Sequence, residues 1–177
     1  AKVTFQRNKL LSLSGMYNGE MISAPEYKSL ASLDGAGFHG GYNHIVYQMV
    51  GQPLGVFYLP HSTGLVSDGN GGYTYGIADL NGGGVNLEDG EDRYVAGQAV
   101  PKTILGSNIS FRYKHFDLSV QINGAFGHKI YNGTSLTYMN MNIFPDYNVM
   151  KSAPKQNIKD QTATDYWLEK GNYVNFC

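Results

Sequence analysis

The most restrictive feature of the chain is the stretch from Ile104 to Ile130, in which apolar and polar side chains alternate. In its second half the apolar positions are Phe116, Leu118, Val120, Ile122 and Phe126, and the positions between them are Asp117, Ser119, Gln121, Asn123 and Ala125. In its first half the apolar positions are Leu105, Ile109, Phe111 and Tyr113, and those between them are Gly106, Asn108, Ser110 and Arg112. Successive side chains of a strand point to opposite faces, so each half predicts a strand with one apolar face. The intervening Lys114-His115 fits a two-residue turn, which predicts a long antiparallel hairpin.

Two classes of protein carry such a hairpin. A strand that crosses a bilayer needs about 9–11 residues at a steep tilt, and residues 116–126 have about that length. Outer-membrane barrels direct apolar side chains to lipid, polar ones to a watery lumen and aromatic ones to the interfaces. The aromatic residues at the two ends of the hairpin are Phe111, Tyr113, Phe116, Phe126 and Tyr131. A soluble β-sandwich alternates in the same way, so the pattern alone leaves both classes open.

The composition favours a β-rich chain with many loops. Charged residues make up 15% of the 177 residues, and the chain has 23 glycines and 14 tyrosines; globular domains usually carry about a quarter charged residues. A net charge of −1 gives no electrostatic reason to expect nucleic acid as a partner. Cys177 is the only cysteine, which excludes an internal disulfide and a cysteine-only metal site.

The beginning of the chain carries no recognisable signal peptide. AKVTFQRNKLL lacks the apolar core and small-residue cleavage site of a secretory signal. No run approaches the roughly 18 apolar residues of a membrane helix. We therefore expect either a cytosolic chain or a mature or internal piece of a longer protein, and we favour the second.

The rest of the chain predicts short β segments joined by loops, in a single β domain over residues 1–177. Strands are expected at 3–13, 43–50 and 173–177, and the last of these stops without an exit, which suggests truncation. A turn of helix is expected at 26–33 within a loop over 16–41, and a capped short helix at 162–171. Two prolines within 52–60 favour an edge strand or a chain that runs along a wall. The glycine-rich stretch 61–90 predicts a flexible exposed loop, and 145–159 a further loop.

One loop resembles a calcium-binding sequence. Asp79, Asn81 and Gly84 match positions one, three and six of the pattern D-x-[DN]-x-[DN]-G, and acidic residues including Asp89 follow. Gly83 replaces an oxygen ligand at position five, and Gly90 stands where a bidentate glutamate belongs. Asp79, Asn81 and Asp89 are therefore candidate Ca²⁺ ligands, with a structural Asx turn as the favoured alternative; no other cofactor is expected.

The sequence predicts no enzyme. The histidines lack a paired metal spacing, no nucleophile elbow or phosphate-binding loop is present, and the paired carboxylates 88/89 and 91/92 lie in a wet loop. Loop aromatics could instead stack on sugar rings, and the candidates are Tyr58, Tyr73, Tyr75 and Tyr138. The alternative for these four is packing within a wall or an aromatic girdle.

Several stretches, read in order, resemble one family. They are NKLLSLSG (8–15), GQPLGVFY (51–58), ADLNGGG (78–84), DRYVAGQAVPKTILG (92–106), FRYKHFDLSVQINGAFGHKIYN (111–132) and DYWLEKGNYV (165–174). Their identity and order are similar to the C-terminal barrel portion of SusC/RagA-type TonB-dependent transporters of the Bacteroidetes outer membrane. The chain departs from that family at Gly83, where aspartate is usual, and at His115, where glycine is common.

The resemblance implies an all-β fold, an antiparallel meander of long strands that is a fragment of a large transmembrane barrel of about 22 strands. One or two short helices and long glycine-rich loops are expected beside it, with the plug and the final strands absent. The resemblance further implies import of oligosaccharides or peptides across the bacterial outer membrane, energised by TonB and capped by a SusD-like surface lipoprotein. Lys114-His115 would be a periplasmic turn and 61–90 part of an external loop.

A fragment of this kind is expected to transport nothing alone. Its apolar face would contact outer-membrane lipid, and an isolated chain would have to hide that face by self-association or refolding. The alternative is a self-contained soluble β-sandwich or small barrel that binds glycans through loop aromatics. In that case the face of Phe116, Leu118, Val120, Ile122 and Phe126 would pack inside a monomer core.

Overall fold

A computed structural model describes residues 1–33, 44–88 and 91–177. The strands, in chain order, are β1 (Lys2–Phe5), β2 (Gly15–Tyr17), β3 (Glu20–Ile22), β4 (Tyr27–Ser32), β5 (His44–Met49), β6 (Val56–Leu59), β7 (Ser62–Ser67), β8 (Tyr73–Ile77), β9 (Tyr94–Gln98), β10 (Thr103–Tyr113), β11 (Phe116–Phe126), β12 (Lys129–Tyr131), β13 (Leu168–Lys170) and β14 (Tyr173–Phe176). Two short helices, α1 (Gly133–Tyr138) and α2 (Ala153–Gln156), and 3₁₀ turns at Met141–Ile143 and Asp165–Trp167 complete the elements. Every described strand pair is antiparallel, so the expected all-β class is confirmed.

The predicted hairpin is confirmed as β10 and β11. They pair in unbroken register from Thr103 opposite Phe126 to Tyr113 opposite Phe116. Lys114 closes the turn with φ of 52°, a left-handed conformation that two-residue hairpin turns require. Strand β1 pairs with the start of β10 and strand β14 with the end of β11, which gives a four-stranded sheet in the order β1-β10-β11-β14, here named the wall sheet.

Two long excursions of the chain leave the same end of the wall sheet. The first, residues 6–102, connects β1 to β10, and the second, residues 127–172, connects β11 to β14. The first contains a four-stranded sheet in the order β4-β5-β6-β9 and the hairpins β2-β3 and β7-β8, and the second contains α1 and α2. The second excursion also folds back on itself through β12 and β13. Together the described parts of the excursions form one unit, here named the head.

The head holds the hydrophobic core, and both excursions build it. The main cluster consists of Ile45, Phe57, Leu59 and Tyr75 from the first excursion and Leu136, Met139, Ala153, Ile158 and Ala163 from the second. A smaller cluster consists of Tyr47, Val56 and Tyr58. Burial of each large apolar side chain stabilises a fold by about 1.5–3 kcal/mol. Mutual burial therefore holds the two excursions together.

Caps and turns fix the short elements of the second excursion. The Asn132 side chain accepts from the backbone N–H of Ser135 at the start of α1, 2.9 Å away. Thr164 caps the 3₁₀ turn of Asp165–Trp167 by accepting from the N–H of Tyr166. Side-chain oxygens at these positions satisfy N–H groups that have no partner inside the helix.

Three sequence predictions in the first excursion are wrong or incomplete. The helix expected at 26–33 is strand β4, because these residues pair with β5 over most of their length. The strand expected at 3–13 ends at Phe5, and Leu10 instead exchanges backbone hydrogen bonds with Gly51 and Gln52. The loop expected at 16–41 contains β2, β3 and β4 as far as it is described, and its residues 34–41 lie outside the described chain.

The proline-flanked strand and the glycine-rich stretch also differ from expectation. Strand β6 lies between β5 and β9 rather than at an edge, because Pro53 and Pro60 fall outside it and leave its ladder intact. Residues 62–77 form the hairpin β7-β8 instead of a flexible loop. Its glycine-rich turn is held by Asp68, whose carboxylate accepts from the N–H groups of Asn70 and Gly72.

The second half of the chain shows how far the expected meander holds. Only β10 and β11 are long, and every other described strand has six residues or fewer. The expected helix at 162–171 is a 3₁₀ turn followed by β13, because Leu168–Lys170 pairs with β12. The strands expected at 43–50 and 173–177 are confirmed as β5 and β14.

No helix within residues 1–33, 44–88 and 91–177 is both long enough and apolar enough to cross a membrane.

Candidate functional site

The wall sheet has one apolar face that continues across all four strands. The cross-strand register places Val3 beside Leu105, Ile109 beside Val120, Phe111 beside Leu118 and Ile122 beside Phe176. The apolar members of this face are Val3, Phe5, Leu105, Ile109, Phe111, Tyr113, Phe116, Leu118, Val120, Ile122, Phe126, Val174 and Phe176. Several are largely exposed, among them Phe5 at 80%, Phe176 at 70% and Phe116 at 58%. An apolar surface of this extent needs an apolar partner.

The opposite face of the same sheet is mainly polar. Its polar members are Lys2, Thr4, Asn108, Ser110, Arg112, Asp117, Ser119, Gln121, Asn123 and Asn175. Arg112 and Asp117 lie directly opposite each other and form an ion pair, with Nε 2.5 Å from Oδ1. Both side chains are well exposed, so this pair contributes at most about 1 kcal/mol. Ser119 donates to the Asn108 side chain across the same two strands. This face suits contact with water.

The two-sided exposure of the wall sheet bears on the two classes left open by the sequence. None of Phe116, Leu118, Val120, Ile122 and Phe126 belongs to a buried cluster. The core lies in the head instead, and it is built by other strands and helices. A self-contained soluble sandwich would bury this face within the monomer, whereas much of it is exposed here.

The four candidate sugar-stacking tyrosines are not brought together. Tyr58 and Tyr75 are buried in the two core clusters, so their rings are not open to a ligand. The Tyr75 hydroxyl accepts from Trp167 Nε1 at 2.7 Å, and burial raises its pKa above the usual value. Tyr138 on α1 is half-buried. Tyr73, at the start of β8, is 43% exposed and is the one candidate with an open ring.

The candidate calcium loop is organised by its own backbone. The Asp79 carboxylate accepts from the N–H groups of Gly82 at 2.6 Å and Gly84 at 2.9 Å. Asn81 accepts from the Gly83 N–H at 2.9 Å, which is the geometry of an Asx turn. Asp89, the third candidate, lies outside the described residues. Among the described residues no three His, Cys, Asp or Glu side chains group as metal ligands. The metal assignment stays a prediction.

The sequence reasoning missed Asp92, whose carboxylate hydrogen-bonds to the backbone of the same loop. This side chain is buried, and its carboxylate accepts from the N–H groups of Leu80 at 2.6 Å, Asn86 at 2.8 Å and Asn81 at 3.3 Å. These hydrogen bonds hold the pKa of Asp92 below its usual range, and the bond from the Asn86 N–H has the largest effect. Nothing in the local sequence distinguishes Asp92 from its acidic neighbours, since its role depends on a loop about ten residues away.

A second missed carboxylate, Asp165, joins the two excursions. It accepts from the Ser62 N–H at 2.6 Å and from the Tyr94 hydroxyl at 2.6 Å, and it lies 2.8 Å from His61 Nδ1. The Ser62 hydroxyl contacts the Gly64 carbonyl rather than the histidine, so the cluster is not arranged as a hydrolytic triad. We interpret it as a structural link within the head.

Two adjoining cavities lie where the wall sheet meets the head. One, of about 430 Å³, is here named the basic cleft, and it is lined by Gln52, Pro53, Val56, Val95, Gly97, Gln98, Lys102, Gly127, His128, Lys129, Lys170 and Asn172. The other, of about 530 Å³, shares Pro53, Gln98 and Lys102 with it and adds Arg7 and Lys9 to its lining. No aspartate or glutamate of the described part of the chain lines either cavity.

Comparison with known proteins agrees with the geometry of the wall sheet. No protein-family model matches the chain. The chain is 26% identical over 191 aligned residues to TonB-dependent receptor P3 of Formosa agariphila, an alignment that covers 96% of this chain and 18% of that protein. The chain is thus similar to a segment of a TonB-dependent receptor. It spans less than a fifth of the length of this relative.

Proposed function

We propose that the chain forms part of the barrel wall and the external head of a TonB-dependent nutrient importer in the bacterial outer membrane. The observation that carries this proposal is the wall sheet, which is apolar on one face and polar on the other across four paired strands. A barrel of this kind needs such a sheet, with one face in hydrocarbon and the other lining an aqueous lumen. Similarity to a TonB-dependent receptor over 96% of the chain supports the same conclusion.

The dimensions of β10 and β11 agree with a membrane crossing. Each has 11 residues, and a tilted strand needs about 9–11 to span the hydrocarbon. The short turn at Lys114 lies at one end and the large head at the other. Outer-membrane barrels have short periplasmic turns and longer extracellular loops. We therefore place Lys114-His115 in the periplasm and the head outside the cell.

The open edges of the wall sheet indicate that further strands belong to the barrel. Among the described residues, positions 107–113 of β10 pair with β11 alone. Unpaired backbone groups in hydrocarbon cost several kcal/mol each, so a membrane sheet must close. We infer that the described strands are an arc of a larger barrel and that they transport nothing by themselves.

The finer assignment follows the sequence motifs. We propose the SusC/RagA type and a position in the C-terminal part of the barrel, with TonB as the energising partner and a SusD-like lipoprotein above the head. The cargo would be an oligosaccharide or a peptide. Tyr73 is the described candidate side chain that could stack on a sugar ring, and no residue is assigned a catalytic role.

Quencher accessibility tests the proposed orientation of the wall sheet. In a Cys177→Ser background, single cysteines at Leu118, Val120, Ser119 and Gln121 would carry a spin label in the complete receptor that contains this segment, reconstituted in lipid. We expect oxygen, which concentrates in hydrocarbon, to relax the labels at 118 and 120. A water-soluble nickel chelate should relax those at 119 and 121. Equal access of the chelate to all four positions would contradict the proposal.

Reagent access from the two sides of the membrane tests the placement of the head. A cysteine at Lys114 should react with an impermeant maleimide only after the outer membrane of cells is opened. A cysteine at Asn70, in the exposed turn of β7-β8, should react on intact cells. The reverse pattern would show that the head faces the periplasm.

A further inference from the structure

The basic cleft collects positive charge without a matching negative charge. Lys102, Lys129 and Lys170 line it, and Arg7 and Lys9 line the cavity next to it. Strands β12 and β13 place Lys129 directly opposite Lys170. Like charges in directly opposite positions of an antiparallel pair are destabilising. The fold therefore keeps two mutually repelling lysines at the cleft, and a neutral side chain in place of either would remove this repulsion.

The nearby carboxylates do not neutralise these lysines. Among the described residues the ion pairs are His61 with Asp165 and Arg112 with Asp117, and neither involves the cleft. Glu169, the acidic residue adjacent to Lys170, alternates to the other face of β13 and accepts from the Asn132 side chain at 2.8 Å. His128 also lines the cleft, and its Nδ1 atom is buried without a hydrogen-bond partner among the described residues.

The rest of the lining combines apolar side chains with amide groups. Pro53 and Val95 supply an apolar floor, and Gln52, Gln98 and Asn172 supply amide groups. Small-molecule sites commonly combine an apolar wall with a few polar groups that fix the orientation of the ligand. A volume of about 430 Å³ is within the range of such sites, which is about 300–1,000 Å³.

We propose that the basic cleft binds an acidic oligosaccharide through the carboxylate or sulfate groups of its sugars. The ammonium groups of Lys102, Lys129 and Lys170 would contact these anions, and a sugar ring would lie against the apolar floor. This inference rests on the proposed import function and names the class of its cargo. Charge-assisted hydrogen bonds from lysine to an anion are among the stronger polar contacts in proteins.

The position of the cleft favours a soluble cargo over a lipid headgroup. Lys102 directly precedes β10 and shares the parity of Asn108 and Ser110, which belong to the polar face. Its side chain lies beside Gly127: a side chain in place of this glycine would put its Cβ 3.0 Å from Lys102 Cβ. The basic cleft therefore adjoins the face that would line the lumen, whereas the cavity next to it is also lined by Phe5 of the apolar face.

Calorimetric titration of the full chain in detergent micelles tests the proposal, with a galacturonate tetrasaccharide as the acidic probe and a neutral galactose tetrasaccharide as its control. We expect the acidic probe to bind at least about tenfold more tightly, since the loss of a hydrogen bond to a charged group costs about 1.5–3 kcal/mol and 1.4 kcal/mol is tenfold in affinity. Raising the salt concentration should weaken this binding. Equal affinity for the two probes would overturn the proposal.

Substitutions then locate the site. Lys102→Gln and Lys170→Gln should each weaken binding of the acidic probe about tenfold, and Lys170→Arg should restore most of it. Lys155→Gln, an exposed lysine on α2 that lines neither cavity, is the matched control and should bind as the wild type does. Equal losses in Lys155→Gln and Lys170→Gln would place the anion elsewhere and overturn the assignment.

A stability measurement separates a ligand-binding role from a structural one. Because Lys170→Gln removes a like-charge pair, its melting temperature without ligand should be at least that of the wild type even though its affinity is lower. A lower melting temperature together with lower affinity would mean that Lys170 serves the fold. Binding only to phosphatidylglycerol nanodiscs, with no response to the tetrasaccharide, would assign the lysines to lipid phosphate and overturn the cargo proposal.

These experiments are independent of the spin-label test of the wall sheet. If the labels show no lipid-facing side while the cleft binds the tetrasaccharide, the anion site stands and the import function fails. If the labels alternate as expected but no acidic sugar binds, the import function stands and its cargo is of another class.

Discussion

At the scale of single residues, two buried or half-buried carboxylates that the sequence did not single out fix a loop and a junction of the head. Asp92 holds a loop of its own excursion by accepting from three backbone N–H groups, and Asp165 joins the two excursions. In both cases the partners are backbone groups or side chains far along the chain. Neither role could have been read from the local sequence.

The depressed pKa of Asp92 makes a prediction about pH. Because the folded state favours its charged form, the stability contributed by the carboxylate is fully present above the ordinary value near 3.8 and is lost as pH falls through the lower folded pKa. We expect Asp92→Asn to lower the melting temperature at pH 7 and to flatten the loss of stability as pH falls below about 4. Thermal unfolding of the full chain in detergent across this range measures both effects.

Asp146→Asn is the matched control, because Asp146 is exposed in the second excursion. It should leave both the melting temperature and its pH dependence as in the wild type. An Asp92→Asn variant with the same acid profile as the wild type would show that the carboxylate does not carry this stability.

Removal of the Asp165 carboxylate should loosen the junction between the excursions. Asp165→Ala leaves the Ser62 N–H and the Tyr94 hydroxyl without their acceptor, and hydrogen bonds to a charged group contribute about 1.5–3 kcal/mol. We expect a loss of that order in the free energy of unfolding. Tyr94→Phe removes only one of the bonds and should cost less. Equal losses for the two variants would indicate that the carboxylate acts through Tyr94 alone.

At the scale of elements, the sequence predicts the strands whose own residues show a clear hydrophobic period. The hairpin β10-β11 was found together with its turn, because a two-residue period over 11 residues needs no knowledge of the rest of the fold. Strand β4 was mistaken for helix, because its residues have no strong period and are fixed by pairing with β5. The hairpin β7-β8 was mistaken for a loop, because its glycines suggested mobility while Asp68 holds its turn.

The candidate site was predictable only in part for the same reason. Alternation identified the two faces of the wall sheet, which depend on parity alone. The lysines of the basic cleft are separated by tens of residues, and they meet through the pairing of β12 with β13 and the return of the chain to β10. The tyrosines were judged by composition, and two of them proved to be core residues.

Helix α1 supplies a test of how strongly the excursions depend on each other. Leu136 is 1% exposed in the cluster shared with β5 and β6, and truncation of such a leucine costs about 2–5 kcal/mol through lost burial and the cavity left behind. We expect Leu136→Ala to speed hydrogen exchange in β5 and β6 of the first excursion as well as in α1. Exchange that changes only within 127–172 would show that the excursions fold independently.

Leu30→Ala on β4 is the control for this variant. Leu30 is half exposed and lies outside both core clusters, and a surface substitution usually changes stability by no more than about 0.5 kcal/mol. Its exchange pattern should match that of the wild type.

At the scale of the whole molecule, the two faces of the wall sheet should respond oppositely to charge. A lysine on the lipid face of a barrel costs about 2–4 kcal/mol at the bilayer midplane, whereas a lumen position tolerates it. Val120→Lys should therefore lower folding yield and stability in lipid vesicles, and the adjacent Gln121→Lys should change them little. The measurement is the folded fraction of the complete receptor that carries each substitution, read from heat-modifiable migration on gels. Equal yields for both variants would argue against a membrane wall.

Hydrogen bonds connect the strands of the wall sheet at the end where they enter the head. The N–H of Gln6 donates to the Lys102 carbonyl, the N–H of Lys102 donates to the Phe126 carbonyl, and the N–H of Gly127 donates to Asn172 Oδ1. All four strands of the wall sheet are thus joined to one another where they enter the head. A hinge at any one crossing would be restrained by the other three. Under the proposed import function, the head would therefore move relative to the wall sheet as one unit when cargo passes.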